Sequence, residues 1–349
     1  ASARAHEVGS AHTFKWDNTS FLDLYYTKHD TANNDYSTPD YFDARINSKF
    51  HEGPLAFDGE SDKVIFTRNN YFKARRRKSS DKVVKLKMFY TERDSSISGQ
   101  QQGPAVILLH GLFGMGSNLS MIARALVDQY CVHSLDLRNH GRSPAASEMS
   151  FCDMAGDVID YMDAQGIDRC HLLGHSLGGK VAMQVALLAP ERVSRLIVAD
   201  IAPVSYQGNH DDVFAGLNAV DLPSLERCSD AEQVLAAHIT DSGVRQFIIK
   251  SLYRDNNQQF QWRLNVQGIQ DCYEQLRQSL VAPPGQQFSG PVLFIKGELS
   301  RYIMPEHRDA IVALFPNADL KMIQKTGHWL HAEKTVAFNR LVVNFLAKD

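Results

Sequence analysis

The segment that decides the fold is residues 170–179, CHLLGHSLGG. Its first half is an apolar run typical of a buried strand, and residues 176–188 have the periodicity of a helix. Between them stands a G-x-S-x-G pattern, with Gly174 and Gly178 on either side of Ser176. A strand that turns sharply into a helix strains the residue at the turn and leaves no room for bulky neighbours. The pattern therefore predicts that Ser176 projects from the carboxyl edge of a sheet as a nucleophile.

Strands and helices alternate on both sides of this segment. A continuous apolar run predicts a buried parallel strand at 105–109, and further strands are predicted at 131–137, 170–173, 196–199, 291–295 and 320–323. Helical periodicity predicts helices between and after them at 119–130, 151–166, 176–188, 305–314 and 335–347. This succession predicts a mostly parallel sheet with helices on both faces. Between residues 203 and 285 the strands stop and helical periodicity continues, which predicts an inserted helical cap.

A serine hydroxyl needs a base to take its proton, and position selects His328 among the 14 histidines. It follows the predicted strand 320–323, near the carboxyl edge of the sheet and in the chain order serine then histidine. We expect His331 to be structural and His175 to pack behind the turn. Three side chains beside these positions are expected to border the substrate pocket: Phe113, His175 and Trp329.

Backbone N–H groups that bind an oxyanion require no particular side chain. One should come from Leu177, directly after the nucleophile. The other should come from the turn 110–114 that leaves the first buried strand. Within that turn Leu112 is the preferred donor, with Phe113 as its neighbour.

Four segments together, 105–114, 136–144, 174–180 and 327–334, resemble the α/β-hydrolase superfamily. They are most similar to its small bacterial carboxylesterase branch, which is related to the mitochondrial α/β-hydrolase-domain proteins of animals. The resemblance covers about residues 82–347 and implies the α/β-hydrolase fold with serine hydrolase chemistry. Such a mechanism needs no metal or organic cofactor.

The acid that orients His328 is the point where the sequence departs from the superfamily pattern. That pattern commonly places Asp in a G-x-x-D motif, whereas this chain has Ser300 at the end of Gly297-Glu298-Leu299-Ser300. Asp200, which ends the predicted strand 196–199, is the preferred candidate because the resembling branch carries its acid there. Glu298 remains the alternative.

These residues predict a serine carboxylesterase for small to medium acyl esters. Three other functions remain open: a C–C bond hydrolase of ring-cleavage products, a thioesterase or acyltransferase, and a binding member of the fold without catalysis. Six apolar residues of the cap could line an acyl pocket or form plain helix core: Phe214, Leu217, Phe247, Leu252, Phe260 and Trp262.

The composition excludes several other classes of protein. With 37 basic and 40 acidic residues the net charge is −3, which argues against a nucleic-acid-binding protein. The sequence contains no run of about 18 consecutive apolar residues, so it predicts no membrane-spanning helix. The five widely spaced cysteines are typical of free thiols in a reducing compartment, so we expect a cytoplasmic protein.

The first residues differ from the rest in charge. Residues 1–60 hold 5 basic and 10 acidic residues, whereas residues 61–93 hold 11 basic and 3 acidic ones. Apolar runs at 64–66 and 83–90 predict two strands that flank the basic turn. We expect residues 1–60 to form an extension that makes homo-oligomer contacts or covers the core. The predicted organisation is an extension (1–60), a first core part (61–202), a cap (203–285) and a second core part (286–349).

Overall fold

A computed structural model of the chain describes residues 103–347 in full, and before them only the backbone of short strands. Glu52–Phe57, Val64–Asn69 and Leu86–Met88 pair as an antiparallel sheet, with strands where 64–66 and 83–90 were predicted to form them. Further antiparallel pairs join Tyr25–Tyr26 to Asp40–Tyr41, His29–Asp30 to Asp35–Tyr36, and Tyr71–Phe72 to Arg75–Arg76. The expected oligomer contacts of residues 1–60 lie outside the described residues.

Six parallel strands form the predicted sheet. In chain order they are β1 (Ala105–Leu109), β2 (Cys131–Leu135), β3 (Cys170–His175), β4 (Val193–Ala199), β7 (Val292–Gly297) and β8 (Ala318–Ile323), while β5 (Leu252–Arg254) and β6 (Phe260–Trp262) lie elsewhere. Their order across the sheet is β2-β1-β3-β4-β7-β8, and Thr91–Glu92 pairs antiparallel with β2 at one edge. The parallel sheet expected from the apolar runs is confirmed.

The helices alternate with these strands as predicted, with ends that differ by a few residues. They are α1 (Ser120–Leu126), α2 (Phe151–Ala164), α3 (Leu177–Leu188), α4 (Asp211–Ala219), α5 (Cys228–Ala236), α6 (Ser242–Ile249), α7 (Val266–Asp271), α8 (Tyr273–Leu276), α9 (Arg308–Leu314), α10 (Leu330–Glu333) and α11 (Thr335–Leu346). Short 3₁₀ turns occur at Gly116–Leu119, Pro190–Arg192, Leu222–Ser224 and Pro305–His307. Within residues 103–347, none of these helices has the length and apolar character needed to cross a membrane.

Both faces of the central strands β1, β3, β4 and β7 are largely buried, as continuous apolar strands require, whereas most of the edge strand β8 is exposed. On one face Val106, Leu173 and Ile295 pack in a cluster with α1 and α11. On the other face Val198 lies under α3, whose Gly179 approaches it closely. The strands therefore form the middle layer of a helix–sheet–helix core.

The strand order places two loops together at one point of the sheet edge. Strand β1 lies between β2 and β3, so the connections leaving β1 and β3 go to opposite sides. Leu109 at the end of β1 pairs with Gly174 near the end of β3. In open parallel sheets such a reversal leaves a crevice at the carboxyl ends of the strands. The turn 110–114 and the turn at Ser176 therefore meet there.

The two glycines of the G-x-S-x-G pattern are required by close backbone packing. A Cβ atom on Gly174 would lie 2.1 Å from the carbonyl oxygen of Gly178, and one on Gly178 would lie 2.3 Å from that of Leu109. Both contacts are with backbone, which cannot move aside as a flexible side chain can. The pattern thus permits β1, β3 and α3 to approach each other at the base of the site.

Between β4 and β7 the chain forms helices α4–α8, and it also forms an antiparallel hairpin, β5–β6. The expectation that strands stop in this segment is therefore wrong. The hairpin turns at Asp255, whose carboxylate accepts the N–H groups of Asn257 and Gln259 at 2.8 and 3.0 Å. Such side-chain turns need no apolar periodicity, so the helical pattern around them concealed the strands.

The buried ammonium of Lys180 joins α3 to both ends of this segment. Its Nζ donates to the carbonyl oxygens of Val204 and Gln278 at 2.7 and 2.6 Å. Burial lowers the pKa of Lys180 to about 7. The helix that begins at the nucleophile turn therefore also holds the cap in place.

Replacing Gly178 by Ala should destabilise the fold, because the new methyl group would overlap the Leu109 carbonyl. We expect a loss of about 3 kcal/mol in the free energy of unfolding, measured by urea denaturation. The matched control is Gly208→Ala, whose Cβ would meet nothing nearer than 3.5 Å and should cost less than about 0.5 kcal/mol. Equal losses in the two variants would contradict this packing argument.

Candidate active site

Ser176 occupies the sharp turn between β3 and α3. Its backbone has φ 52° and ψ −119°, a strained conformation for a residue with a side chain. Its N–H donates to the carbonyl of Ala199 at 2.9 Å, and its own carbonyl accepts the N–H of Gly179 at 2.8 Å. Because both backbone groups are bonded, the turn holds the serine side chain at the cavity wall.

His328 contacts a carboxylate, as a base that acts on Ser176 would need to do. Its Nδ1–H donates to Oδ2 of Asp200 at 2.7 Å. The Asp200 side chain is fully buried, whereas the His328 side chain is 26% exposed. In the neutral imidazole this bond places the proton on Nδ1 and leaves Nε2 as the nitrogen that can accept one.

Three donors surround the Asp200 carboxylate. The N–H of Gly297 donates to Oδ1 at 3.0 Å, and the hydroxyl of Ser300 donates to Oδ2, which also accepts from His328. Asp200 itself lies in a turn with φ 55°, and its N–H donates to Ile295 of β7 at 2.8 Å. A buried carboxylate needs such partners to remain ionised.

The two carboxylates that the sequence left open have different surroundings. Glu298 is exposed, and its Oε2 accepts the N–H of Lys325 at 2.8 Å. Asp200 is the carboxylate that contacts His328. Ser300, which stands where the superfamily pattern has Asp, contributes a hydroxyl to Asp200 instead. The geometry therefore favours Asp200.

Tyr302 continues the same loop and stacks on the base. Its ring lies on the His328 ring with centroids 4.1 Å apart and an angle of 28° between the planes. Its N–H donates to Oγ of Ser300 at 3.2 Å, and its carbonyl accepts the hydroxyl of Tyr206 at 2.6 Å. The loop after β7 thus contacts both Asp200, through Ser300, and His328, through Tyr302.

In the turn predicted to bind the oxyanion, the backbone N–H of Phe113 already donates a hydrogen bond within the protein. Phe113 has φ 60°, and its N–H donates to Nε2 of His140 at 3.1 Å. Within residues 103–347, the N–H groups of Leu112 and Leu177 have no acceptor, and both residues line the cavity. Leu112 and Leu177, rather than Phe113, can therefore donate to a developing oxyanion.

Two buried neutral histidines support this turn. His110 accepts the N–H of Leu137 on Nε2 at 3.0 Å and donates from Nδ1 to Gly111 at 2.8 Å. His140 donates from Nδ1 to the carbonyl of Arg138 at 2.9 Å. Burial lowers the pKa of His110 to about 4 and that of His140 to about 3. Each imidazole therefore acts as a fixed donor–acceptor bridge.

His175 has a second role besides packing beside the serine. Its Nε2–H donates to the backbone carbonyl of His328 at 2.9 Å, and its ring lies 4.4 Å from that of His331. Burial lowers the pKa of His175 well below its usual value. His175 thus ties the loop that carries the base to the strand that precedes the nucleophile.

A cavity of about 650 Å³ opens above these groups, between the core and the cap. The predicted pocket residues Phe113, His175 and Trp329 all line it, together with Ser176 and His328. Asp200 lies behind His328 and does not line the cavity.

Of the six cap residues proposed for an acyl pocket, Phe247 alone lines the cavity, with its ring 5.5 Å from Trp329. Phe214 and Leu217 are buried on α4, and their side chains form cap core. The other three lie on the hairpin β5–β6 that the periodicity did not predict: Leu252, Phe260 and Trp262.

Several residues of the site carried no usable signal in the sequence. His210, Tyr273 and Tyr302 line the cavity, yet none belongs to a motif. His140 lies within segment 136–144, which contributed to the family resemblance without suggesting a role. Their contacts depend on chain segments far apart in sequence.

Comparison with known proteins supports the architecture. The family described as "alpha/beta hydrolase fold" matches residues 104–242 and 250–335. Esterase YbfF of Escherichia coli is 37% identical over 255 residues, which cover 73% of this chain and 97% of the relative. The mouse sn-1-specific diacylglycerol lipase ABHD11 is 36% identical and covers 72% of this chain and 83% of its own length. A solved marine microorganism esterase superimposes with a TM-score of 0.68 at 34% identity, covering 70% of this chain and 95% of its own.

The buried histidines should make stability depend on pH. Unfolded histidines bind protons near pH 6.5, whereas His110 and His140 do so only near pH 4 and 3. The unfolded state thus binds more protons at intermediate pH, so the free energy of unfolding should fall as pH drops below 6.5. Urea denaturation at pH values from 7 to 4 gives the free energy of unfolding as a function of pH. The slope of this free energy against pH should be about 1.4 kcal/mol per pH unit smaller in His140→Asn than in the wild type. An unchanged slope would contradict a buried neutral His140.

Proposed function

The chain belongs to the α/β-hydrolase fold family, and we propose that it is a serine carboxylesterase acting on esters of small to medium acyl chains. Two of the relatives are named for ester hydrolysis, an esterase and a diacylglycerol lipase. One observation carries the proposal: the hydrogen bond of 2.7 Å between His328 and the buried Asp200, beside a serine in a strained turn.

In the proposed reaction Ser176 Oγ attacks the ester carbonyl while His328 Nε2 takes its proton. The carbonyl oxygen becomes an oxyanion, which the N–H groups of Leu112 and Leu177 stabilise. His328 becomes positively charged in this step, and the ionised Asp200 stabilises that charge across their hydrogen bond.

The tetrahedral intermediate then loses the alcohol, which leaves with the proton returned by His328. The acyl group remains on Ser176 as an ester. Water deprotonated by the same His328 attacks this acyl-enzyme; the carboxylic acid leaves as the Ser176–acyl bond breaks, and His328 returns the proton to Ser176 Oγ. All of these steps are carried by residues of this chain.

The size of the cavity supports the range of substrate proposed. A volume of about 650 Å³ lies within the range of pockets for small organic ligands. Its wall combines apolar groups such as Phe247 and Trp329 with the polar groups near Ser176. An acyl chain of a few carbons has apolar surface to contact on the side of Trp329.

The first test is a panel of p-nitrophenyl esters of increasing acyl length, with the wild type and Ser176→Ala. We expect hydrolysis to peak at short to medium chains and to fall by at least about 10³-fold in the variant. A fluorophosphonate probe should label Ser176 in the folded wild type. Absence of labelling together with absence of hydrolysis would instead indicate a binding protein.

The same panel separates the chemically adjacent functions. Adding acyl thioesters and a dienone ring-cleavage product tests thioesterase and C–C bond hydrolase activity with the same catalytic residues. A kcat/KM at least tenfold higher on either than on all oxygen esters would overturn the carboxylesterase assignment while leaving serine catalysis intact.

Asp200→Asn should lower kcat by about 10⁴-fold, because an amide neither stabilises the charged imidazole nor fixes its tautomer. The matched control is Glu298→Gln, at the exposed carboxylate that bonds Lys325, which should change kcat by less than about threefold. Steady-state kinetics on a p-nitrophenyl ester measures both. The reverse order of effects would assign the acid to Glu298.

A further inference from the structure

A group of hydrogen-bonded polar side chains, Asn209, His210, Tyr273 and Tyr302, lies in the cavity wall and has no part in the proposed chemistry. Asn209 and His210 precede α4, Tyr273 begins α8, and Tyr302 follows β7. We define these four residues as the polar wall. The hydrogen-bond partners of each side chain indicate where its protons lie, and therefore which donors the polar wall presents to the cavity.

The hydroxyl of Tyr273 determines the tautomer of His210. It accepts the backbone N–H of Asn209 at 3.2 Å and lies 2.6 Å from Nδ1 of His210. A tyrosine hydroxyl has one proton, and within residues 103–347 Nδ1 is the acceptor it reaches, so we assign the proton to that bond. Burial lowers the pKa of His210 to about 4, so the ring is neutral and carries its proton on Nε2.

The hydroxyl group of Tyr302 likewise keeps a proton that it can donate. Its hydroxyl accepts Nδ2–H of Asn209 at 3.3 Å, which uses one lone pair and leaves its own O–H to donate. In the part of the chain from 103 to 347, neither this O–H nor Nε2–H of His210 has an acceptor. Both residues line the cavity. The polar wall thus presents two donors.

The position of Tyr302 identifies the part of the substrate that these donors would meet. Its ring stacks on His328 at 4.1 Å, and His328 is the group that returns a proton to the departing alcohol. His210 is linked to Tyr302 through Tyr273 and Asn209, and its ring lies 5.7 Å from that of Phe113. The polar wall therefore adjoins His328, from which the departing alcohol would receive its proton.

We propose that His210 and Tyr302 form a subsite for a second oxygen atom in the alcohol moiety of the ester. The preferred substrates are esters of alcohols that bear an ether, hydroxyl or carbonyl oxygen, rather than esters of simple alkanols. This inference rests on the proposed serine esterase function. A simple alkyl ester leaves both donors without a partner after water is displaced, which costs binding to the transition state.

A pair of substrates of nearly equal shape tests this subsite: 2-methoxyethyl butyrate and n-butyl butyrate, which differ by an oxygen in place of one methylene. The preference is the ratio of their kcat/KM values divided by the ratio of their hydroxide-catalysed rates, which removes intrinsic reactivity. We expect the wild type to prefer the methoxyethyl ester about tenfold.

Three variants locate the preference. Tyr302→Phe removes the hydroxyl and keeps the ring on His328. His210→Phe removes the N–H donor and keeps a ring beside Phe113. Each variant should lower the preference for the methoxyethyl ester to threefold or less. The matched control is Tyr253→Phe, on β5 outside the cavity, where the hydroxyl is also lost and the preference should remain near tenfold.

A wild-type preference near one, or a preference unchanged in both Tyr302→Phe and His210→Phe, would overturn the subsite and leave the esterase function standing. Failure of the esterase function gives a different result, in which neither ester is hydrolysed faster by the wild type than by Ser176→Ala. That result would overturn the subsite as well.

Discussion

A hydrogen bond of 2.7 Å joins His328 to Asp200 across 128 residues of chain, and the rest of the site is arranged around it. A fully buried carboxylate loses its hydration and is costly unless several donors replace the water. Gly297 at the end of β7 and Ser300 in the loop after it supply two of these donors, and His328 supplies the third. This requirement brings the end of β4, the loop after β7 and the loop after β8 to one point.

A second constraint is backbone strain at the ends of three neighbouring strands. Phe113 after β1, Ser176 after β3 and Asp200 after β4 have φ values of 60°, 52° and 55°. Each such residue costs about 1–2 kcal/mol. In each case the N–H finds a fixed acceptor: His140 for Phe113, Ala199 for Ser176 and Ile295 for Asp200. The sheet therefore stabilises the turns at Ser176 and Asp200, and His140 stabilises the turn at Phe113.

The parts of the site that could be predicted from the sequence are those fixed by local pattern. Ser176 follows from a G-x-S-x-G pattern that stands between an apolar run and a helical pattern in one short segment, and the sheet follows from the apolar runs. The choice between Asp200 and Glu298 could not be made from residues alone, since it depends on which carboxylate is buried beside a histidine far along the chain. The same holds for Tyr302 and His210, whose roles depend on contacts between the cap and the core. The hairpin β5–β6 was missed because an Asx turn, rather than alternating apolar residues, defines it.

In the proposed reaction Asp200 acts through His328 and has no separate effect. A double-mutant cycle on kcat for a p-nitrophenyl ester, with Asp200→Asn, His328→Ala and the double variant, measures this directly. Each single change should lower kcat by about 10⁴-fold or more, and the double variant should be no slower than His328→Ala by more than about threefold. A double variant whose loss is the product of the two single losses would show independent action and contradict the account.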